Sequence, residues 1–216
     1  MYTRADPSPR YTELLTAYRT MHEKGEVQSG LPAEKTFAGF SLYNHMMTVK
    51  EMVAKLGART LLDYGAGKGA LHALRPLKMP NGEFVDSLAS LWGIERTVLY
   101  DPGFKPHAER PIGTFDLVIC CDVLEHCPEQ DLQWIMEDIA GHARRGVFLV
   151  IACYPAKKSL PSGENAHITV HPPAWWKPRI EAAMAVRAGL VWQALFEEVQ
   201  DGQKVVTRKR GQSPAD

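Results

Sequence analysis

Three glycines at alternate positions, Gly65, Gly67 and Gly69, follow a short apolar run that contains an acid, Asp63. Glycine lets the backbone come unusually close to a bound molecule and adopt dihedral angles that other residues avoid. Three groups are candidate partners of such a loop: a dinucleotide pyrophosphate, a phosphate, or the methionine end of a sulfonium cofactor. The phosphate is excluded, because Lys68 is followed by glycine rather than by serine or threonine and the glycine spacing is too short for a phosphate-binding loop.

The carboxylate of Asp63 distinguishes the two remaining groups. The loop satisfies the dinucleotide pattern G-x-G-x-x-A, which ends at Ala70, and it equally satisfies D-x-G-x-G-x-G, which begins at Asp63. A carboxylate two residues before the first glycine would repel a pyrophosphate and attract an ammonium group. S-adenosylmethionine carries both an ammonium and a sulfonium, so the acid favours this cofactor.

Two further acids stand at the ends of apolar runs. Asp101 closes "TVLYD", and Asp122 closes "FDLVICCD", which is followed by "VLEH" with Glu125 and His126. Together with the glycine loop, these segments resemble the class I S-adenosylmethionine-dependent methyltransferases over residues 58–210, and "VLEH" is the most specific match. The resemblance implies that Asp101 binds the ribose hydroxyls; the alternative is a carboxylate that begins the turn before Pro102. The cofactor-binding residues that the resemblance implies are Asp63, Tyr64, Gly65, Ala66, Gly67, Asp101, Pro102, Asp122 and Val123.

One interval departs from the family pattern. Between Asp101 and Phe115 the chain is too short for the helix and third strand that the family places there. The third strand is therefore expected to be short or missing. Since the family's adenine-contacting acid belongs to that strand, no residue is assigned to the adenine.

Histidines are the candidate catalytic residues. Methyl transfer from a sulfonium is an in-line displacement, which needs a base only when the nucleophile begins protonated. We predict His126 and His167 as catalytic, since both follow strands at the edge of the sheet where ligands bind in open α/β folds. The alternative for His126 is a hydrogen bond to backbone at a helix start. His167 and His171 could instead bind a metal, act as base and orienter, or merely share a face of an extended segment; we predict no metal site.

Aromatic residues on either side of the core are candidates for the acceptor site. The segment "TFAGFSLYNHMM" is expected to cover the cofactor, with Tyr43 facing the acceptor, although its aromatic residues could simply seat the next helix on the sheet. His171 and Trp175 are predicted to contact the acceptor as well; packing of the following helix is the alternative for the tryptophan. A zinc site at Cys121, His126 and Cys127 is disfavoured, because the paired short spacings of structural zinc sites are missing from the sequence.

The elements that position these residues follow from periodicity and turn signals. Short apolar runs at 60–64, 97–101, 115–122 and 146–154 alternate with helical patterns, which predicts a parallel sheet covered on both faces. Helices are predicted over 11–24, up to Gly57, over 69–77, within 83–94, from Pro128 onward and around the paired tryptophans. An Asp-Gly turn at 201–202 predicts a closing hairpin that adds an antiparallel strand.

The predicted fold class is thus an α/β, three-layer Rossmann-like sandwich with N-terminal helices. Residues 1–57 form an arm and a helical lid, residues 58–216 form the methyltransferase-like core, and residues 1–10 are expected to be loose.

Composition limits the classes of function. The chain has 216 residues, of which 45% are hydrophobic, and its 25 Lys and Arg balance its 25 Asp and Glu. A neutral chain lacks the electrostatic signature of a nucleic-acid binder, and no apolar run is long enough to span a membrane. We therefore expect a cytoplasmic methyltransferase that acts on an oxygen or nitrogen of a small or medium-sized acceptor, with S-adenosylhomocysteine as product. The oligomeric state is not predicted. The alternatives are an NAD-type oxidoreductase and a catalytically silent methyltransferase-like partner subunit.

Overall fold

The computed structural model describes residues 2–212. The predicted domain bounds, 1–57 and 58–216, also include Met1 and residues 213–216, which lie outside the described residues. The strands are β1 Thr60–Tyr64, β2 Leu77–Lys78, β3 Phe84–Val85, β4 Arg96–Tyr100, β5 Phe115–Cys121, β6 Ala143–Ala152, β7 Val191–Gln200 and β8 Gln203–Gln212. The α-helices are α1 Pro9–Lys24, α2 Met46–Leu56, α3 Ala70–Ala73, α4 Leu88–Trp92, α5 Leu132–His142 and α6 Pro173–Met184. Single 3-10 turns lie at Ala33–Lys35, Ser41–His45, Lys105–His107, Leu124–His126 and Glu129–Asp131.

Six strands form one sheet in the order β4-β1-β5-β6-β7-β8. The first five are mutually parallel, and β8 pairs antiparallel with β7 at the edge. The central strands β5 and β6 are almost fully buried, as expected of parallel strands covered on both faces. The predicted hairpin is confirmed, because Asp201 and Gly202 both have positive φ, 50° and 76°, in the turn between β7 and β8.

Side chains from the two faces of the sheet enter separate apolar clusters. Leu62 and Val118 pack with α5 and α6 on one face, whereas Leu61 and Leu117 pack with α2 and α4 on the other. This alternation follows from the two-residue period of a strand. The predicted three-layer Rossmann-like α/β sandwich is confirmed. Among residues 2–212, none of the helices combines the length and hydrophobicity that a membrane crossing requires.

The N-terminal residues are more ordered than the sequence predicts. The prediction of a loose arm is wrong for the described residues, because the guanidinium of Arg4 pairs with Asp138 and donates a hydrogen bond to the hydroxyl of Tyr100 at 2.8 Å. The backbone N–H and the hydroxyl of Ser8 both donate to the carboxylate of Asp131. Ser8 also caps α1, whose helical pattern and Gly25 end were predicted.

The segment after the glycine loop also differs from its prediction. The expected helix over 69–77 is limited to α3, because Leu74 is extended and Pro76 prevents the helix from continuing. The small β2–β3 hairpin follows in its place. By contrast, the expectation that the third strand would be short or missing agrees with the structure: between Asp101 and Phe115 the described residues contain a 3-10 turn that connects β4 to β5, and no strand.

Candidate functional site

A cavity of about 660 Å³ lies at the carboxyl ends of β1, β4, β5 and β6. Helix α1 and residues 37–41, here called the cap segment, complete its wall. The predicted site residues that line the cavity are Tyr64, Gly65, Ala66, Gly67, Asp101, Pro102, Asp122, Val123, His126 and His167. A volume of this size lies within the roughly 300–1,000 Å³ typical of small-molecule sites.

The glycine loop uses its backbone donors within the protein. The N–H groups of Gly65 and Ala66 both donate to the carbonyl of Tyr100, at 2.7 and 3.0 Å. The N–H of Gly67 donates to the carboxylate of Asp101 at 2.9 Å. The next three N–H groups, at positions 68, 69 and 70, donate to the carbonyls at positions 37, 66 and 38. Every N–H from residue 65 to residue 70 therefore has an internal acceptor.

The glycines allow the loop to pack closely against the rest of the chain. A Cβ on Gly65 would lie 2.3 Å from a methyl of Val123, and a Cβ on Gly67 would lie 2.2 Å from the carbonyl oxygen of Phe37. Both glycines also have positive φ, 84° and 55°. The close backbone contact that the glycines allow is thus, in part, a contact of the glycine loop with Val123 after β5 and with the cap segment.

Asp63 does not lie where the sequence interpretation places it. Its carboxylate accepts a hydrogen bond from Nε2 of His72 at 2.8 Å, and the residue is 6% exposed and does not line the cavity. Strand alternation explains this position, because Leu62 and Tyr64 face the α5 side of the sheet and Asp63 faces the opposite side. The expected direct contact of Asp63 with a cofactor ammonium is therefore corrected to an internal pair with His72.

Asp101 connects two loops at the cavity wall. One carboxylate oxygen accepts from the N–H of Gly67 at 2.9 Å and the other from the N–H of Gly103 at 2.8 Å. Burial raises the pKa of Asp101, and these two backbone donors act against that rise. Each oxygen keeps a further lone pair, which a ligand hydroxyl can use.

Asp122 is the carboxylate on the cavity wall that lacks a full set of partners. It follows β5 with φ of 55°, in the left-handed region. Its Oδ1 is buried and has no hydrogen-bond partner among the described residues. Burial and the neighbouring carboxylate of Glu197 raise the pKa of Asp122. A cation near this oxygen would relieve both penalties.

The two predicted catalytic histidines lie side by side at the cavity. Their rings are perpendicular, with centroids 4.7 Å apart. Nδ1 of His126 donates to the carbonyl of Ala166 at 2.8 Å, and Nδ1 of His167 donates to the carbonyl of Tyr154 at 2.6 Å. Because a carbonyl only accepts, both rings are fixed as the tautomer that leaves the lone pair on Nε2.

Both histidines are held in the neutral form. Burial, together with the adjacent ring of His167, lowers the pKa of His126 to about 3. Burial also lowers the pKa of His167, against the hydrogen bond to the Tyr154 carbonyl. The backbone hydrogen bond expected as the alternative role of His126 is present, although His126 also lines the cavity.

The three predicted acceptor residues lie away from the cavity. Tyr43 packs against the apolar cluster on the α2 side of the sheet. His171 pairs with Glu129 and stacks on Trp175, with ring centroids 3.9 Å apart, and Arg179 covers the indole at 3.6 Å. The expectation that Tyr43, His171 and Trp175 reach the site is therefore corrected, because each has a partner elsewhere in the packing.

Several residues at the cavity were not assigned from the sequence. Helix α1 contributes Tyr11, Leu14, Leu15 and Tyr18, and the loop after β6 contributes Lys157 and Lys158. The helical spacing of α1 indicates a buried face but not the surface that this face covers. Cys121 and Cys127 also line the cavity, and burial raises the pKa of both thiols, which favours the protonated form.

The likeness of the chain to known proteins is distant. No family model and no curated protein matches the chain. Among solved structures, the chain is similar to an O-methyltransferase family protein from Burkholderia thailandensis, with 16% sequence identity and a TM-score of 0.49, over 96% of this chain and 68% of that chain. A likeness at this level does not carry a functional assignment, so the function is inferred from the chemistry of the cavity.

Proposed function

We propose that the chain is an S-adenosylmethionine-dependent methyltransferase that acts on an oxygen or nitrogen of a small or medium-sized acceptor. The observation that supports this most directly is that the N–H donors of the glycine loop are all bound within the protein. All six N–H groups from residue 65 to residue 70 are bound to internal acceptors, while Asp101 and Asp122 line the same cavity. The glycine loop therefore offers no free N–H donor to a ligand, whereas Asp101 and Asp122 offer carboxylate oxygens at the same cavity.

This arrangement disfavours a pyrophosphate. Dinucleotide sites of the Rossmann type bind the pyrophosphate with free loop N–H groups at the start of a long helix. Here the loop leads into α3, which has 4 residues, and no free N–H remains from residue 65 to residue 70. A pyrophosphate at the glycine loop would also meet the carboxylates of Asp101 and Asp122 with no free N–H group of the loop to offset their repulsion.

The same groups fit the parts of S-adenosylmethionine. Asp122, with its unpartnered Oδ1, is suited to the ammonium, which is the role that the sequence interpretation gives to Asp63. Asp101 retains lone pairs for the ribose hydroxyls. Tyr11, Leu15 and Pro102 provide an apolar wall to the same cavity, which suits the face of a purine.

The protein's task in methyl transfer is alignment and exclusion of water. When bound, S-adenosylmethionine supplies an electrophilic methyl group on its sulfonium. The cap segment is fastened over the glycine loop by two backbone hydrogen bonds, from the N–H groups of Lys68 and Ala70 to the carbonyls of Phe37 and Ala38, both at 2.9 Å. This contact fixes the cap segment at one side of the cavity, where it limits the access of water.

Calorimetry with S-adenosylhomocysteine tests the proposal. The wild-type protein should bind it, and Asp122→Asn should weaken binding by about 10- to 100-fold, the equivalent of one charge-assisted hydrogen bond. Asp86→Asn is the matched control, because Asp86 is exposed and does not line the cavity. Absence of binding by the folded wild-type protein at millimolar ligand would refute the proposed function.

A further inference from the structure

A third acidic residue, in addition to Asp101 and Asp122, lies next to the two predicted catalytic histidines. Glu125 is fully buried, at 0% exposure, beside His126 in the 3-10 turn after β5. Its Oε1 accepts from the N–H of Ala152 at 3.2 Å, whereas Oε2 is buried and makes no hydrogen bond within residues 2–212. A buried carboxylate oxygen without a partner is costly, so a positively charged occupant nearby would stabilise this arrangement.

Glu125, His126 and His167 form one compact group of potential ligands. Each offers a ligand atom, and these atoms all lie within 4.8 Å of one another. Small side-chain rotations bring such atoms to the roughly 3–4 Å separations that metal–ligand bonds of about 2.0–2.2 Å require. The group therefore has the size of a metal site as well as its residue types.

The surroundings of the two rings are also those of metal ligands. Metal-binding histidines usually donate the N–H of the other ring nitrogen to a carbonyl or carboxylate, which fixes the tautomer and the ring orientation. Both His126 and His167 do so, through the carbonyls of Ala166 and Tyr154. Tyr18 strengthens this support, since its hydroxyl donates to the same Ala166 carbonyl at 2.9 Å.

We propose that Glu125, His126 and His167 bind one divalent first-row transition-metal ion at the wall of the cavity. Two imidazole nitrogens and one carboxylate suit zinc, iron, cobalt or manganese better than calcium or magnesium, which prefer oxygen ligands. Three protein ligands leave further coordination positions open, as in catalytic sites. Since His126 and His167 line the cavity, those positions are accessible to a ligand bound in it.

The ion also indicates the chemistry of the acceptor, and this step rests on the proposed function. An ion held by Glu125, His126 and His167 would lower the pKa of an acceptor hydroxyl bound to it, so that the hydroxyl would release its proton to water and would need no protein base. A ring nitrogen that binds a metal cannot also accept a proton. His126 and His167 would then act as ligands rather than as bases, and the acceptor would be an alcohol or phenol rather than an amine.

Cobalt titration of the chelator-treated full-length protein tests the site. One equivalent of Co²⁺ should produce visible absorption bands, and zinc should displace it. His167→Ala and the isosteric Glu125→Gln should each weaken binding by more than about 100-fold, beyond the effect of losing an outer-shell partner. His171→Ala is the matched control, because its ring lies on the surface beside Glu129 and should leave binding unchanged. Circular dichroism establishes that each variant is folded.

The outcomes test the metal site, the acceptor class and the proposed function separately. Absence of stoichiometric Co²⁺ binding, or equal binding by wild type and folded His167→Ala, would overturn the metal site. With Co²⁺ bound, catechol as a hydroxyl-bearing probe should shift the absorption bands whereas aniline should not. Failure of catechol alone would overturn the acceptor class and leave the metal site standing. Binding of S-adenosylhomocysteine, measured on the same samples, reports separately on the proposed function.

Discussion

The carboxylate of Asp63 is held by Nε2 of His72 at 2.8 Å, and neither side chain lines the cavity. Both side chains are nearly buried, with 8% and 10% of their surface exposed. The pair joins the end of β1 to the short helix α3 directly after the glycine loop. Asp63 therefore stabilises the glycine loop from the side of the sheet opposite the cavity, and it affects ligand binding only through the position of the loop.

Removal of the histidine should cost stability. His72→Ala leaves a nearly buried carboxylate without its partner, and we expect the free energy of unfolding to fall by about 3 kcal/mol. The double variant Asp63→Asn, His72→Ala should lose less, because no buried charge remains. Urea denaturation measures both losses. A folded His72→Ala protein that keeps full stability but loses affinity for S-adenosylhomocysteine would show that the pair belongs to the site.

The internal use of the loop's N–H groups predicts which nucleotides fail to bind. NADH and NAD should show no binding at millimolar concentration, because no N–H from residue 65 to residue 70 is free for the pyrophosphate. Fluorescence of NADH measures this directly, with adenosine as a control for the apolar wall of the cavity. Tight NADH binding that S-adenosylhomocysteine cannot displace would favour the oxidoreductase alternative.

Much of the sheet was predictable because its strands are short, apolar and separated by turn residues. The runs ending at Tyr64, Tyr100 and Cys121 are too short for typical helices and are bounded by turn residues, which favours strands. The hairpin at Asp201 was equally clear, since Asp-Gly between two strand patterns favours a type of turn with positive φ. These features depend on local sequence alone.

The site was less predictable because it depends on which face each residue occupies. The sequence places Asp63 near the loop, but strand alternation relative to Tyr64 decides that it faces away from the cavity. The alternation of side chains along β1 carries this information in the sequence itself. By contrast, no local pattern indicates that α1 lines the cavity or that the side chains of Glu125 and His167, which are distant in sequence, lie close together.

A pH-dependent loss of stability should arise far from the site, at Asp116. Although burial opposes its ionisation, hydrogen bonds from the N–H of Arg59 and the guanidinium of Arg144 lower the pKa of Asp116 to about 2, from an ordinary value of 3.8. A depressed pKa in the folded state stabilises the fold above the unfolded value, and this contribution disappears as the pH falls from about 5 towards 2.

The magnitude follows from the same pKa difference. Asp116 should contribute roughly 2 kcal/mol near neutral pH and little below pH 2. Urea denaturation at several pH values, on wild type and Asp116→Asn, measures this contribution as the difference between the two proteins. The difference should narrow on acidification. A constant difference between pH 7 and pH 3 would contradict the assignment.

The last prediction concerns the contact between the glycine loop and the cap segment. Gly67→Ala places a Cβ at 2.2 Å from the carbonyl oxygen of Phe37, at a backbone φ of 55°. The left-handed conformation alone costs about 1–2 kcal/mol for a residue with a Cβ. Gly189→Ala isolates that cost, because Gly189 has φ of 68° with nothing within 4 Å of the added Cβ.

We expect Gly67→Ala to lose more stability than Gly189→Ala. We also expect weaker binding of S-adenosylhomocysteine in Gly67→Ala only, because the added Cβ forces the cap segment to move away from the glycine loop. Denaturation and calorimetry on both variants measure these effects. Equal stability losses with unchanged affinity in both would show that the cap segment does not enclose the ligand.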